Sequence, residues 1–165
     1  MIKIAILTIS DKGSRGERVD GTGLELKKLL ANLGYEISFY KIIPDERRDI
    51  EKELIYLADE LKVNLILTNG GTGFAKRDVT PEATKSVIEK DVPGISEVMR
   101  MNSVKINSHA MLSRGVSGIR KDSLIINLPG STKAAIESLE FVLPAIPHGI
   151  DILNGYSLNS SYIHS

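Results

Sequence analysis

The chain has 165 residues, with Lys plus Arg (21) balancing Asp plus Glu (21). A zero formal charge excludes general nucleic-acid binding, which needs a strong positive field, but leaves room for a small anionic ligand held by a local cluster. There is no cysteine, so disulfides, thiolate metal sites and a cysteine nucleophile are ruled out.

The length and the 42% hydrophobic content predict a single domain over residues 1–165 around one core. Lys3 to Ile9 is a near-continuous β-branched run, as expected of a parallel strand covered on both faces. It stops at Ser10-Asp11-Lys12, too early for a signal peptide. No stretch approaches the roughly 18 apolar residues of a membrane span. A cytoplasmic protein without membrane attachment is therefore expected. Ser10 to Gly21 reads as a loop. Thr22 is placed to cap a helix to about Leu33, with Leu24, Leu26, Leu29, Leu30 and Leu33 as its stripe and Gly34 as its stop.

Tyr35 to Ile43 predicts a second strand, broken by Pro44-Asp45-Glu46. Asp49 to Lys62 predicts an amphipathic helix burying Ile50, Leu54, Leu57 and Leu61. Leu65 to Thr68 is a short buried strand, and a glycine-rich loop runs from Asn69 to Val79. Thr80-Pro81 opens a helix to about Lys90, since proline is tolerated in the first turn. Ile95 to Lys105 predicts another helix, and the segment from His109 to Arg114 is ambiguous. Val116–Arg120 and Ser123–Leu128 read as a hairpin, followed by helices over Thr132–Val142 and Leu143–Leu153. A polar tail begins at about residue 156. Alternating strands and helices predict a three-layer α/β/α sandwich with a mostly parallel sheet.

The strongest local feature is Asn69-Gly70-Gly71-Thr72-Gly73 at the end of a buried strand. Ligands of open α/β sheets bind beyond the carboxyl ends of the strands, and glycines there let backbone N–H groups approach an anion. The loop is neither a Walker A motif, because Ala75 and Arg77 stand where glycine and a hydroxyl residue are needed, nor a dinucleotide fingerprint. A tight turn without a ligand is the plain alternative. Next, Asp78 and Glu82 stand four apart around a helix start. They are either two oxygen ligands for Mg²⁺ completed by phosphate and water, or a cap and a dipole complement. Pro129-Gly130-Ser131-Thr132-Lys133 again joins a buried strand to a helix start, a phosphate-binding arrangement or ordinary turn chemistry. Two more strand ends carry acids, Ser10-Asp11 and Pro44-Asp45-Glu46. Parallel strands would put all four ends on one edge.

These segments together resemble the MogA/MoaB family of molybdenum-cofactor proteins. Asn69–Gly73 with Arg77-Asp78-Val79-Thr80-Pro81-Glu82-Ala83 is similar to one signature. Leu112-Ser113-Arg114, Gly118-Ile119-Arg120 and Asn127-Leu128-Pro129-Gly130 are similar to the second, and the resemblance spans about Ile2 to Leu153. The full Thr-Pro-Glu-Ala run and the Pro-Asp-Glu turn look more like the molybdopterin adenylyltransferase branch. That branch implies transfer of AMP from Mg²⁺-ATP to molybdopterin with release of pyrophosphate, a homotrimer, and contact with a molybdate-insertion protein. It implies Asp45 and Asp78 as catalytic acids. Ser10, Gly70, Gly71, Thr72, Gly73, Thr80, Ser113, Arg120, Pro129, Gly130, Ser131 and Lys133 would bind substrates, and Asp11, Asp78 and Glu82 would bind metal. Asn69 departs from the family's usual small hydroxyl residue, and Ser117 stands where alanine is frequent. Ser131-Thr132 resembles the MoaB branch, which keeps open a molybdopterin-binding protein without adenylyltransferase activity.

Overall fold

The computed structural model describes residues 1–156; the expected tail from about 156 lies almost wholly outside them. Strands β1 (Lys3–Ile9), β2 (Glu36–Ile43), β3 (Leu65–Asn69), β4 (Lys90–Asp91), β5 (Ser117–Arg120) and β6 (Ser123–Leu128) form one sheet in the order β2-β1-β3-β6-β5-β4. The four strands from β2 to β6 in that order are parallel, while β5 runs antiparallel to both β6 and β4. The predicted hairpin is β5–β6, turned at Lys121, which adopts a φ of 49°.

The helices are α1 (Asp11–Ser14), α2 (Gly21–Asn32), α3 (Arg47–Ile55), α4 (Thr80–Val87), α5 (Pro93–Ser103), α6 (Thr132–Val142) and α7 (Ile146–Leu153). Alternation along the strands sorts them into two layers. Ile4 and Ile6 of β1, Leu65 and Leu67 of β3, and Ile126 and Leu128 of β6 pack with Leu26 and Leu30 of α2, Met99 of α5, Leu139 of α6 and Ile150 of α7. On the other face Ala5, Leu7, Ile66 and Ile125 pack with Ile50 and Leu54 of α3 and with Ala83 and Val87 of α4. The sheet is thus covered on both faces, as the continuous apolar strands required.

Several local expectations are corrected. The N-cap of α2 is Asp20, whose carboxylate accepts from Gly23 N at 2.8 Å. Thr22 instead reaches across to the Gly130 carbonyl at 2.9 Å. Only Leu26 and Leu30 of the expected leucine stripe are fully buried, because Leu24 and Leu33 lie beyond the width of the sheet contact. The helix after Arg47 loosens into a π turn over Tyr56–Glu60, which rotates Leu61 outward. Helix α4 stops at Val87, since Ile88 turns extended and the chain adds β4 as an edge strand on β5. The ambiguous segment is a 3₁₀ turn over Ser108–Leu112, with Asn107 accepting from His109 N.

The connection from β1 runs out through α2 to β2, and the chain then returns through α3, on the opposite face, to β3. Strand order therefore reverses about β1. The crevice between the carboxyl ends of β1 and β3 is the switch point at which such sheets bind ligands.

Candidate active-site rim

The carboxyl ends of β1, β2, β3 and β6 meet on one edge, in register Ile9↔Ile43, Thr8↔Asn69 and Asn69↔Leu128. Gly70 and Gly71 take φ values of 98° and 68°, a region closed to most side chains. A Cβ on Gly70 would strike the Ile9 carbonyl, and one on Gly71 would strike the Thr80 hydroxyl and sit 3.2 Å from Asp45 Oδ1. The bend thus passes directly over the ends of β1 and β2. It is held from behind by Thr80, buried, whose hydroxyl donates to Gly70 O at 2.9 Å. Thr80 is therefore turned inward and supports the bend.

Asp11 and Asp45 brace each other across two strand ends. The Asp11 N–H donates to Asp45 Oδ2 at 2.9 Å and the Asp45 N–H donates to Asp11 Oδ1 at 3.0 Å. Arg77 clamps the outside of this pair, donating to Asp11 at 2.6 and 3.1 Å and to Glu46 at 2.7 Å. The Arg77 hydrogen bonds hold the Asp11 carboxyl below its usual range. Asp45 behaves oppositely. Burial pushes its carboxyl up, and the charges of Asp11 and Asp78 push the same way. Asp45 and Asp78 are thus close enough to repel one another, and Asp45 has no basic side chain within ion-pair reach among the described residues.

Asp78 is not a helix cap; Val79 occupies that position without a side-chain bond. The Asp78 carboxylate accepts from Ala75 N at 3.0 Å and lies against Gly73, where a Cβ would come within 2.9 Å of Oδ2. Arg114, which the sequence reading did not single out as a site residue, organises this side. Its guanidinium donates to the Gly73 carbonyl at 2.8 Å, to the Asp78 carbonyl at 2.8 Å and to both Glu82 oxygens at 2.7 and 2.9 Å. Arg114 N also donates to Thr72 O. The Arg114 bond holds the Glu82 carboxyl low. Arg114 stands in the Leu112-Ser113-Arg114 motif, but nothing in that motif shows that it reaches the glycine bend.

Two clefts flank the bend. One, of about 280 Å³, lies between Thr72, Gly73 and Pro129 on one side and α5, the 3₁₀ turn and α6 on the other; Ser113 and Asn127 line it. The second, of about 500 Å³, is bounded by Ser10, Asp20, Thr22, Gly70, Gly130 and Ser131. Its floor is a hydrogen-bonded chain in which Asn69 donates to Thr8 at 2.9 Å and Thr8 donates to Asp20 at 2.6 Å. Ser10 and Ser131 are spent as N-caps of α1 and α6, accepting from Gly13 N and Ala134 N.

The structure therefore brings Ser10, Ser113, Pro129, Gly130 and Ser131 to the two clefts that flank the Gly70–Gly73 bend, with Asp45 and Asp78 against the bend and Asp11 bonded to Asp45. It does not bring Arg120 there. Arg120 pairs with Ser123 at the start of β6, on the opposite edge of the sheet, and forms an ion pair with Asp59 at 2.7 Å. The antiparallel direction of β5 is the reason. Lys133 is 80% exposed, lines neither cleft and lies 3.8 Å from Glu137 along α6. The metal set of Asp11, Asp78 and Glu82 is also not assembled. Asp11 and Glu82 are each held by an arginine, and among the described residues no group of three His, Asp or Glu side chains is arranged to hold a metal. Asp45 and Asp78 are the two carboxylates at the bend without such a partner.

The profile of the family described as "probable molybdopterin binding domain" matches residues 5–148. A molybdopterin adenylyltransferase of Helicobacter pylori strain J99 is 48% identical over 156 residues, covering 93% of this chain and 89% of that one. Gephyrin of Dictyostelium discoideum is 45% identical over 92% of this chain but only 22% of its own length. The crystal structure of MoaB from Thermus thermophilus, a molybdopterin biosynthesis enzyme, superposes with a TM-score of 0.89 at 50% identity, covering 94% of this chain and 98% of that one. With the strand-end acids, the glycine bend and a match over most of its length, the chain belongs to the molybdopterin-binding domain family.

Proposed function

We propose that this protein transfers AMP from ATP to the terminal phosphate of molybdopterin. The observation that carries the reading is that Asp45 and Asp78 both lie against the Gly71–Gly73 bend, 3.2 and 2.9 Å from where a Cβ would stand on Gly71 and Gly73, two carboxylates without an ion-pair partner at the carboxyl edge of the sheet. Two carboxylates left without a basic partner at such an edge are suited to a cation or a reacting group. The named activity of the Helicobacter relative, at 48% identity, supports the same reaction.

In this reading an oxygen of the molybdopterin phosphate attacks the α-phosphorus of ATP. One P–O bond forms, the bond to the bridging α–β oxygen breaks, and pyrophosphate leaves with the displaced electron pair. Both substrates are anionic, so catalysis is mostly alignment and charge compensation. The two clefts on either side of the bend provide for two substrates meeting at one set of phosphates. Molybdopterin lies on the Ser113 side and the nucleotide on the Gly130–Ser131 side. The Gly70 N–H is already given to the Leu128 carbonyl, so the N–H groups of Gly71, Thr72 and Gly73 would serve the phosphates, while Thr80 and Arg114 hold the bend through its carbonyls.

A Mg²⁺ ion fits Asp45 and Asp78 better than the set expected from spacing, because these two carboxylates lack arginine partners. Two protein oxygens completed by phosphate and water is a common Mg²⁺ arrangement, and the ion would offset phosphate charge there. Asp11 then orients Asp45 rather than binding metal.

The same reading includes a homotrimer, a cytoplasmic location and contact with a molybdate-insertion protein. Met101 and Met111 are large apolar side chains left exposed, which suits self-association. No helix among the described residues is long and apolar enough to cross a membrane.

The second reading, a molybdopterin-binding protein that does not use ATP, is favoured by the Ser131-Thr132 turn and by the likeness to MoaB. Calorimetry separates them. Titration of MgATP should give saturable heat, larger when molybdopterin is present. A protein that takes up molybdopterin but never MgATP is the binding protein instead.

A further inference from the structure

The two arginines nearest the strand-end acids and the glycine bend are already neutralised, Arg77 beside Asp45 by Asp11 and Glu46, and Arg114 on the bend by Glu82. Arg100, on α5, is different. It stands half-buried in the wall of the smaller cleft, opposite Thr72 and Gly73 and beside Ser113. Its guanidinium donates to the Gly115 carbonyl at 2.7 Å and more weakly to the Ser113 carbonyl at 3.5 Å. Among the described residues no carboxylate lies within ion-pair distance of it, although Glu137 lines the same cleft.

Both bonds use Nη1. Nε and Nη2 keep three N–H donors, and two of them form the planar fork that matches two oxygens of one phosphate. A full positive charge held against neutral carbonyls in a cleft is costly unless an anion joins it. The cleft also has the character of a site for a flat heterocycle, with Met99, Ile106 and Leu112 among its walls.

We infer that Arg100 is a phosphate-binding residue, gripping the phosphate monoester of the substrate that enters the smaller cleft and presenting it toward the Thr72–Gly73 bend. The inference rests on the reaction proposed above, in that it names the residue holding the attacking phosphate. The two carbonyl bonds fix the guanidinium so that little side-chain freedom is lost on binding. Arg100 also explains how a cleft with Glu137 in its wall can accept an anion at all.

The test uses inorganic phosphate as the probe, with the intact protein and its Arg100→Met and Arg100→Lys variants. Phosphate binding is followed by the chemical shift of the Arg100 side-chain N–H signals in the wild type. In all three proteins it is also followed by the rise in melting temperature with added phosphate relative to equal chloride. Saturable shifts of Arg100 are expected, with phosphate affinity falling roughly 10- to 100-fold in Arg100→Met and partly kept in Arg100→Lys. KM for molybdopterin should rise by a similar factor in Arg100→Met. If Arg100 only braces the 3₁₀ turn, both variants lose melting temperature without phosphate while the phosphate-induced rise stays that of the wild type; that result overturns the inference, as do unmoved Arg100 signals. Phosphate captured by Arg100 in a protein that forms no AMP adduct would instead sink the proposed reaction and leave this site standing.

Discussion

Asp11 and Asp45 exchange hydrogen bonds, each backbone N–H donating to the other's carboxylate at 2.9 and 3.0 Å. The exchange locks the ends of β1 and β2 together and points two acids at one edge. Their environments then diverge: Arg77 stabilises Asp11 as an anion, while burial and neighbouring negative charge disfavour ionised Asp45. Asp11 is thereby a brace, and Asp45 is left poised for a cation.

Asp45→Asn should therefore stabilise the ligand-free protein while disabling it. The raised Asp45 carboxyl means that its ionised form opposes folding at neutral pH. Its stabilising contribution is full below the ordinary carboxylate pKa and is lost as pH rises through the higher folded value. The variant should melt above the wild type at pH 7, and the difference should shrink as the pH falls into the range where Asp45 is protonated. Thermal melts across pH check this; a lower melting temperature at pH 7 would contradict it.

Asp78→Asn should lower turnover by on the order of a hundredfold or more, as removal of a principal charge stabiliser does. The substitution keeps an oxygen able to accept from Ala75 N, so the bend should hold and molybdopterin should still bind. Steady-state rates beside equilibrium binding separate the effects, and unchanged turnover would falsify the metal role.

Arg114→Lys should fail to replace arginine. The guanidinium serves the Gly73 and Asp78 carbonyls and Glu82 at once, and a single ammonium cannot span those acceptors. A loss of about 10- to 100-fold in kcat/KM is expected, as from misplacement of catalytic groups by about an ångström. Wild-type kinetics in the lysine variant would show that the bend does not need this staple.

Gly71→Ala places a side chain at φ 68° against Thr80 and Asp45 and should cost about 1–3 kcal/mol as well as activity. Gly94→Ala, on α5 with nothing within 4 Å of the added Cβ, should be neutral or stabilising by up to about 1 kcal/mol. Denaturant unfolding of the two variants gives the contrast, and equal effects would mean that the bend is not under this constraint.

The layers were legible in the sequence because period and composition report burial. The Lys3–Ile9 and Leu65–Thr68 runs are covered on both faces, as their unbroken apolar character implied. Convergence of the strand ends followed from parallel strands alone. Helix boundaries were less legible, since α4 ends where Lys90 and Asp91 pair with β5, a partner remote in sequence. Arg120 was misplaced because a motif does not encode strand direction. The positions of Arg114 and Arg100 are not legible in the sequence, because their partners are backbone carbonyls and one distant glutamate, and an acceptor carbonyl leaves no trace in the side-chain sequence.

The account stands most directly on one incubation: the purified protein with molybdopterin, ATP and Mg²⁺, analysed by mass spectrometry. It predicts molybdopterin carrying AMP, with matching pyrophosphate, from the wild type and almost none from the Asp45→Asn and Asp78→Asn variants. Bound but unmodified molybdopterin in the wild type, or adduct formed equally well by both variants, would contradict it.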